Sequence, residues 1–231
     1  MILNRLALGT GNFGKEYNGV KVSEDEQKRI LDYCQQVGID MIDTATAYDW
    51  DWTKAKGFNI VVKINENDTI GRIKEIVNQS PYCLMAHTTE ITDSISCFIR
   101  HTAIKKGISV YSEHEIRDYF QKAVSIVQLP YSIFDRRLES KMQTLNHVKI
   151  HVRSVFLRGK ILEKFTPWEC IAFCLMNPYV DRVIIGVDSL EQLKEDLEPF
   201  HRMNAAQIQG QNILDPRRWQ DAATSILQMK M

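Results

Sequence analysis

Eight short apolar runs recur along the chain, most of them separated by stretches with helical signals, and this alternation constrains the fold more than any other feature. The runs are LALG (6–9), MIDTA (41–45), NIVVKI (59–64), YCLMAH (82–87), GISVYS (107–112), SIVQLP (125–130), KIHVRSV (149–155) and RVIIG (182–186). Strand alternating with helix predicts a parallel sheet, and eight such units predict a closed (β/α)8 TIM barrel. Ser23-Glu24-Asp25-Glu26 reads as a capping box, its serine and the glutamate three positions later each satisfying a free N–H. Gly38 closes the helix that this box opens. Thr166-Pro167-Trp168-Glu169 repeats the logic with proline at the first helical position, and Ser189-Leu190-Glu191-Gln192 does so again. Tyr48 and Lys63 lie too close in sequence for a full second helix, so one turn or a loop is expected around WDWTKAKG.

No linker, repeat or low-complexity segment divides the 231 residues, which predicts one compact domain over 1–231 with a tail from about 201 to 231. A composition 44% hydrophobic and 25% charged suits a soluble protein with a sizeable core. Lys plus Arg equals Asp plus Glu, 29 against 29, so no global field draws the chain to nucleic acid or to a membrane surface. No apolar run approaches the roughly 20 residues of a bilayer span. The start, MILNRLALGTG, lacks the long apolar stretch of a signal peptide. Five scattered cysteines (Cys34, Cys83, Cys97, Cys170, Cys174) without a CxxC pair suit reduced thiols in a cytoplasm, rather than a disulfide framework or zinc site. Cys170 and Cys174, one helical turn apart, read as core residues, and no metal site is expected.

In a barrel of this kind, active-site groups sit at the C-terminal ends of the strands. Asp43 closes the second run and Tyr48 follows in its loop; Lys63 lies near the end of the third, and His87 ends the fourth. These are neighbouring strands, so the four side chains are expected to converge. Lys63 interrupts VVKI, and an inward ammonium is costly without a partner; Asp43, one strand away, is that partner. A phenol is ordinarily a weak acid, with a pKa of about 10, and a nearby ammonium strengthens it by favouring phenolate. His87 adds a hydrogen bond to the phenol or to a substrate oxygen. The set reads as an acid aimed at an oxygen that gains negative charge.

These residues resemble the aldo-keto reductases. LALGTGNFG looks like that family's opening glycine-threonine segment, and IDTATAYD is similar to its strand-two signature with the catalytic tyrosine. Lys63 in VVKI and His87 in LMAH fall where the family carries its lysine and histidine. KGISVYS, IVQLPYSIFDRR and RVIIGVDSLEQLKEDL resemble the cofactor-binding segments of strands five, six and eight. The resemblance implies reduction of a small-molecule carbonyl by NADPH or NADH in a monomer or weak homo-oligomer. Tyr48 would give the proton, Lys63 paired with Asp43 would strengthen it, and His87 would orient the carbonyl. It implies cofactor contacts from Gly9 and Thr10, from Ser109, Gln128, Arg153 and Ser154, and from Gly186, Ser189, Gln192 and Asp196. Ser109 and Gln128 read equally as barrel filling.

Three departures from the family pattern shape the expectations. Gly186 and Gln192 stand where NADPH-preferring members carry a lysine and an arginine, and Asp188 lies between them, which argues against an NADPH preference and gives NADH serious weight beside it. A phosphate site survives only if the N-terminus of the Ser189 helix offers its free N–H groups. Arg153 replaces an aromatic that stacks on the nicotinamide; a guanidinium also stacks, or holds an anionic substrate. The segments after Tyr48 and Gly159 are short, predicting a shallower site. Trp50, Trp52 and Trp219 are expected at a substrate mouth and Trp168 in the core. Short reductase-like chains of this kind resemble proteins of bacterial surface-polysaccharide assembly, which points to a sugar carbonyl. Two other readings stay open: a Schiff-base lyase with Lys63 as nucleophile, and a relative that binds dinucleotide without turnover.

Overall fold

Side chains alternate sides along a strand, and in a closed barrel this decides which residues fill the interior and which meet the surrounding helices. The structure is a computed structural model that describes residues 2–16, 19–87, 101–116, 124–145 and 147–202. Eight strands close in chain order into a parallel barrel: β1 (Leu6–Gly9), β2 (Met41–Ala45), β3 (Asn59–Ile64), β4 (Cys83–Ala86), β5 (Lys105–Ser109), β6 (Ile126–Pro130), β7 (Lys149–Arg153) and β8 (Val180–Gly186). Ala7, Met41, Val61, Met85, Ile126 and Ile184 pack together inside. Their sequence neighbours Leu8, Ile42, Val62, Leu84, Val127 and Ile185 belong to the larger core between barrel and helices. The same alternation turns Asp43, Lys63, Ser109, Gln128, His151 and Arg153 inward.

The outer layer contains α1 (Glu24–Val37), α2 (Ile70–Asn78), α3 (Glu139–Met142), α4 (Pro167–Met176) and α5 (Leu190–Arg202). Between β2 and β3 two 3-10 turns, Thr46–Tyr48 and Trp52–Lys54, stand in place of a helix, as the short spacing predicts. Among the described residues no helix is long and apolar enough to cross a membrane. The Thr166 box forms, with the Glu169 carboxylate accepting from Thr166 N at 2.8 Å. The Ser23 box forms by half. Ser23 Oγ accepts from Glu26 N at 3.3 Å, but the Glu26 carboxylate turns away and accepts from Leu190 N at 2.6 Å, at the start of α5. Cys170 and Cys174 are buried on α4, where burial pushes the Cys170 thiol up to about 12; Cys97 lies outside the described residues.

Two buried ionisable groups oppose each other in pH. His151 points into the barrel, and neither ring nitrogen has a partner among the described residues. Burial pulls its pKa down to about 4 despite the Asp43 carboxylate. Asp196, on the inner face of α5, is 3% exposed, and its Oδ2 is likewise unpartnered among the described residues. Burial, with Glu195 adding to it, pushes this carboxyl up to about 7. A folded pKa below the unfolded value makes His151 withdraw stability as pH falls from 6.5 towards 4. A folded pKa above the unfolded value makes Asp196 withdraw stability as pH rises from 3.8 through 7. The two slopes cancel over their shared window. Asp196→Asn is therefore expected to raise stability at pH 8 by about 4 kcal/mol. It should also expose a loss of stability below pH 6.5 that the wild type masks; urea unfolding at several pH values reads both effects.

Candidate active site

The inward polar residues meet at the C-terminal mouth of the barrel, where β2, β3 and β6 place three side chains in one closed network. The Lys63 ammonium donates to Asp43 Oδ1 in a short contact. Gln128 completes the triangle: its Nε2 donates to Asp43 Oδ2 at 2.7 Å, and its Oε1 accepts from Lys63 Nζ at 3.4 Å. Asp43 is 4% exposed, Lys63 2% and Gln128 0%, so the pair is shielded from water on all sides. Burial alone would pull the Lys63 pKa down, but the Asp43 carboxylate, the Tyr48 phenol and the hydrogen bond to Asp43 outweigh it and hold it above the ordinary lysine value. The ammonium stays charged.

Tyr48 ends the 3-10 turn that follows β2 and is half-buried. Lys63 Nζ lies 5.5 Å from the centroid of its ring. The His87 ring stands perpendicular to it with centroids 6.3 Å apart. His87 sits one residue beyond β4, anchored through its N–H to Ile64 O at 2.8 Å. Burial and the Lys63 charge lower its pKa, favouring the neutral imidazole, which donates at one nitrogen and accepts at the other.

The turn carrying Tyr48 is held from two sides. Asp49 adopts φ 56, and a Cβ at Gly14 would lie 2.1 Å from Tyr48 O, so the opening loop packs on this turn as only glycine allows. On the other side Asp68, 5% exposed, accepts from Thr46 Oγ1 at 2.6 Å and from Asn65 N at 2.8 Å. Asp68 has no part in the sequence reading. Its only signal there is an acidic residue ahead of the Thr69 cap of α2.

The residues expected at the cofactor divide into groups. Gly9 and Gly186 are register partners across the β1–β8 seam, and a Cβ at Gly186 would meet nothing nearer than Gly9 O at 3.9 Å. Thr10 spends both N (3.1 Å) and Oγ1 (3.3 Å) on Asp43 O. The amide of Gln128 is committed to the ion pair, as described. Ser109 and Ser154 flank the Arg153 guanidinium, and Ser154, with φ 60, follows β7.

At the start of α5 two of the N–H groups are already taken. Leu190 N goes to Glu26, and Gln192 N to Ser189 Oγ at 3.1 Å. Gln192 Oε1 accepts from Asp188 N at 2.8 Å, and Asp188 Oδ1 accepts from Asn12 Nδ2 at 2.6 Å. Arg29 is held between Glu26 (2.5 Å) and Glu191 (2.9 Å). Glu26 and Glu191 thus share one guanidinium, and the Asp188 carboxylate has the Asn12 amide. Asp196 stands apart, buried on the core side of α5. Of the tryptophans expected at a mouth, Trp50 is buried instead: it packs edge-on against Phe13 and donates to Gln27 Oε1 at 2.9 Å. Trp52 packs against the core and lines a cavity with Asn59 and Tyr82, at the opposite ends of β3 and β4. Trp219 lies outside the described residues. Trp168 packs edge-on to Phe200, within the core layer.

No protein-family model matches the sequence, and no curated protein matches it. Among solved structures, the chain is similar to the aldo-keto reductase AKR11C1 from Bacillus halodurans in its holo form, with TM-score 0.65 and 19% identity over 89% of this chain and 90% of that one. It is similar also to PA4992, a putative aldo-keto reductase from Pseudomonas aeruginosa, with TM-score 0.64 and 17% identity over 83% of this chain and 86% of that one. At these identities the likeness is one of fold. The chain has a closed (β/α)8 barrel similar to the barrels of these two proteins.

Proposed function

We propose that the protein is a nicotinamide-dependent carbonyl reductase that converts an aldehyde or ketone to an alcohol, with Tyr48 as proton donor and NADH as the preferred cofactor. The observation that carries this reading is the buried Lys63–Asp43 pair with its ammonium 5.5 Å from the Tyr48 ring centroid. Reduced nicotinamide, when bound, supplies the hydride, and the protein supplies binding, orientation and electrostatics. A carbonyl oxygen between Tyr48 and His87 gains negative charge as the carbon is reduced. The phenol hands its proton to that oxygen, and the Lys63 charge stabilises the phenolate left behind. Neutral His87 donates a hydrogen bond to the same oxygen and fixes its direction. Asp43 and Gln128 hold the ammonium in place and touch nothing that reacts. A Schiff-base role for Lys63 requires a neutral amine, and the raised Lys63 pKa opposes it.

The residues fit the nicotinamide end of a dinucleotide. At the end of β8 a Cβ on Gly186 would meet only Gly9 O, at 3.9 Å, so this strand end is uncrowded, and Ser109 Oγ, which accepts from Arg153, has its own O–H to donate. They suit a phosphate at the start of α5 poorly, because Glu26 and Ser189 occupy the N–H groups of Leu190 and Gln192 and Asp188 adds a further carboxylate. Quenching of tryptophan fluorescence by NADH and NADPH tests this directly. NADH is expected to bind more tightly by about 10-fold or more, each 1.4 kcal/mol being a factor of ten. The double variant Glu26→Gln, Asp188→Asn, which removes two carboxylates and keeps the acceptor for Leu190 N, should narrow that gap. Equal or tighter binding of NADPH to the wild type contradicts the NADH preference. Binding without reduction of any aldehyde or ketone favours a relative that has lost turnover.

A further inference from the structure

We propose that Arg153 is a substrate anchor, and that the carbonyl compound reduced at this site carries a carboxylate. This rests on the reductase reading above. Arg153 follows buried His151 and Val152 on β7, so alternation directs it into the mouth. Its side chain spans from β7 past the end of β6 to β5. Nε donates to Ser109 Oγ at 3.3 Å, Nη2 to Val110 O at 3.2 Å and Nη1 to Ser154 Oγ at 3.4 Å. The guanidinium carbon lies 3.9 Å from the centroid of the Tyr111 ring, itself 50% exposed.

Every one of these partners is neutral. Lys63 has Asp43, but Arg153 has no carboxylate partner among the described residues. Ser109, which it contacts, is the register partner of Gln128 in the ion-pair network, so Arg153 stands at the same mouth as the proposed chemistry, and its charge helps to lower the His87 pKa. Glu66, exposed beyond β3, is the other acid that His87 feels. A half-buried cation without a counterion is costly and draws an anion. A guanidinium has five N–H donors; three are engaged, which leaves one on each terminal nitrogen. That is a fork, and it matches the two oxygens of a planar carboxylate. Ser109 and Tyr111 hold the fork still before any ligand arrives, so little order is lost on binding.

A phosphate of the cofactor offers the same oxyanion chemistry, and the test separates the two sources. The substrate pair is 4-oxobutanoate and butanal, which share a chain and differ in the carboxylate. The binding probe is succinamate, which keeps the carboxylate and replaces the aldehyde by an unreactive amide. In Arg153→Gln the ratio of kcat/KM for 4-oxobutanoate over butanal is expected to fall about 100-fold, the loss typical of truncating one side of a hydrogen-bonded charge pair. By calorimetry, succinamate should bind the wild type and weaken by about 10-fold or more in Arg153→Gln. Arg153→Lys, which keeps the charge and loses the fork, should fall between them and serves if the glutamine variant does not fold. Succinamate affinity equal in wild type and variant overturns the proposal. So does a variant in which NADH binding weakens while succinamate binding does not, since Arg153 would then serve the cofactor. Arg153-dependent succinamate binding in a protein that reduces no carbonyl overturns the reductase reading and leaves the carboxylate site standing.

Discussion

Asp43→Asn is expected to lower the free energy of unfolding by about 3–5 kcal/mol at pH 7, because it strands an ammonium that is 2% exposed. An asparagine oxygen still accepts from Lys63, but its amide then faces the Gln128 amide, donor against donor, where Asp43 Oδ2 now accepts at 2.7 Å. The pH dependence identifies the cause. In the wild type Lys63 has a raised pKa, so its contribution is present below the unfolded lysine value and is lost only as pH rises through the folded one. In the variant burial acts unopposed and lowers that pKa, so the deficit should shrink as pH rises from 7 towards 10. Asp43→Asn combined with Lys63→Met removes the stranded charge and should recover most of the stability. Urea unfolding of the single and double variants at two pH values measures each of these outcomes. A single variant as stable as the wild type, or a double variant no better than the single, contradicts the account of the pair.

Tyr48→Phe is expected to lower kcat by about 1000-fold, within the range that a positioned general acid supplies. The phenol is half-buried at the end of a 3-10 turn whose position is set by Gly14 and Asp68, not by the hydroxyl. Folding and NADH affinity should therefore change little, and the loss should lie in turnover rather than in binding. Steady-state kinetics and a fluorescence titration on the same preparation separate the two. A variant that retains wild-type kcat removes Tyr48 from the mechanism.

The barrel was legible because strand alternation and apolar runs are local properties. Once β2 and β3 are recognised, Asp43 and Lys63 necessarily share the inner face. The strand ends were less legible, for identifiable reasons. β5 starts at Lys105, outside the apolar run, because the Lys105 ammonium rests over the Tyr82 ring at 3.9 Å. It stops at Ser109 because the Glu115 carboxylate draws in the N–H groups of Tyr111 and Ser112. β8 starts at Val180 because Asp181 accepts from Ile150 N at 2.8 Å and Arg182 pairs with Asp40 at 2.8 Å, so charged residues are accommodated at its head. β7 ends at Arg153, ahead of Ser154 in a left-handed conformation that no glycine signals.

The site shows the same division. Four expected side chains converge because each occupies a strand end or the turn after it. Gln128 joins the ion pair through its side-chain direction, which no pattern of residues encodes. Glu26 reaches Leu190 across most of the chain, a contact that exists only once α1 and α5 lie side by side. Trp50, expected at a substrate mouth, packs under Phe13 instead, because the chain turns inward after the 3-10 turn that carries Tyr48.

The most direct test of the proposed chemistry is stopped-flow oxidation of NADH in a single turnover with carbonyl substrate, run in H2O and in D2O. Proton delivery from Tyr48 predicts slower oxidation in D2O for the wild type, and no such difference in the residual reaction of Tyr48→Phe. The same solvent effect in both proteins, or NADH left unconsumed by the wild type, would contradict it.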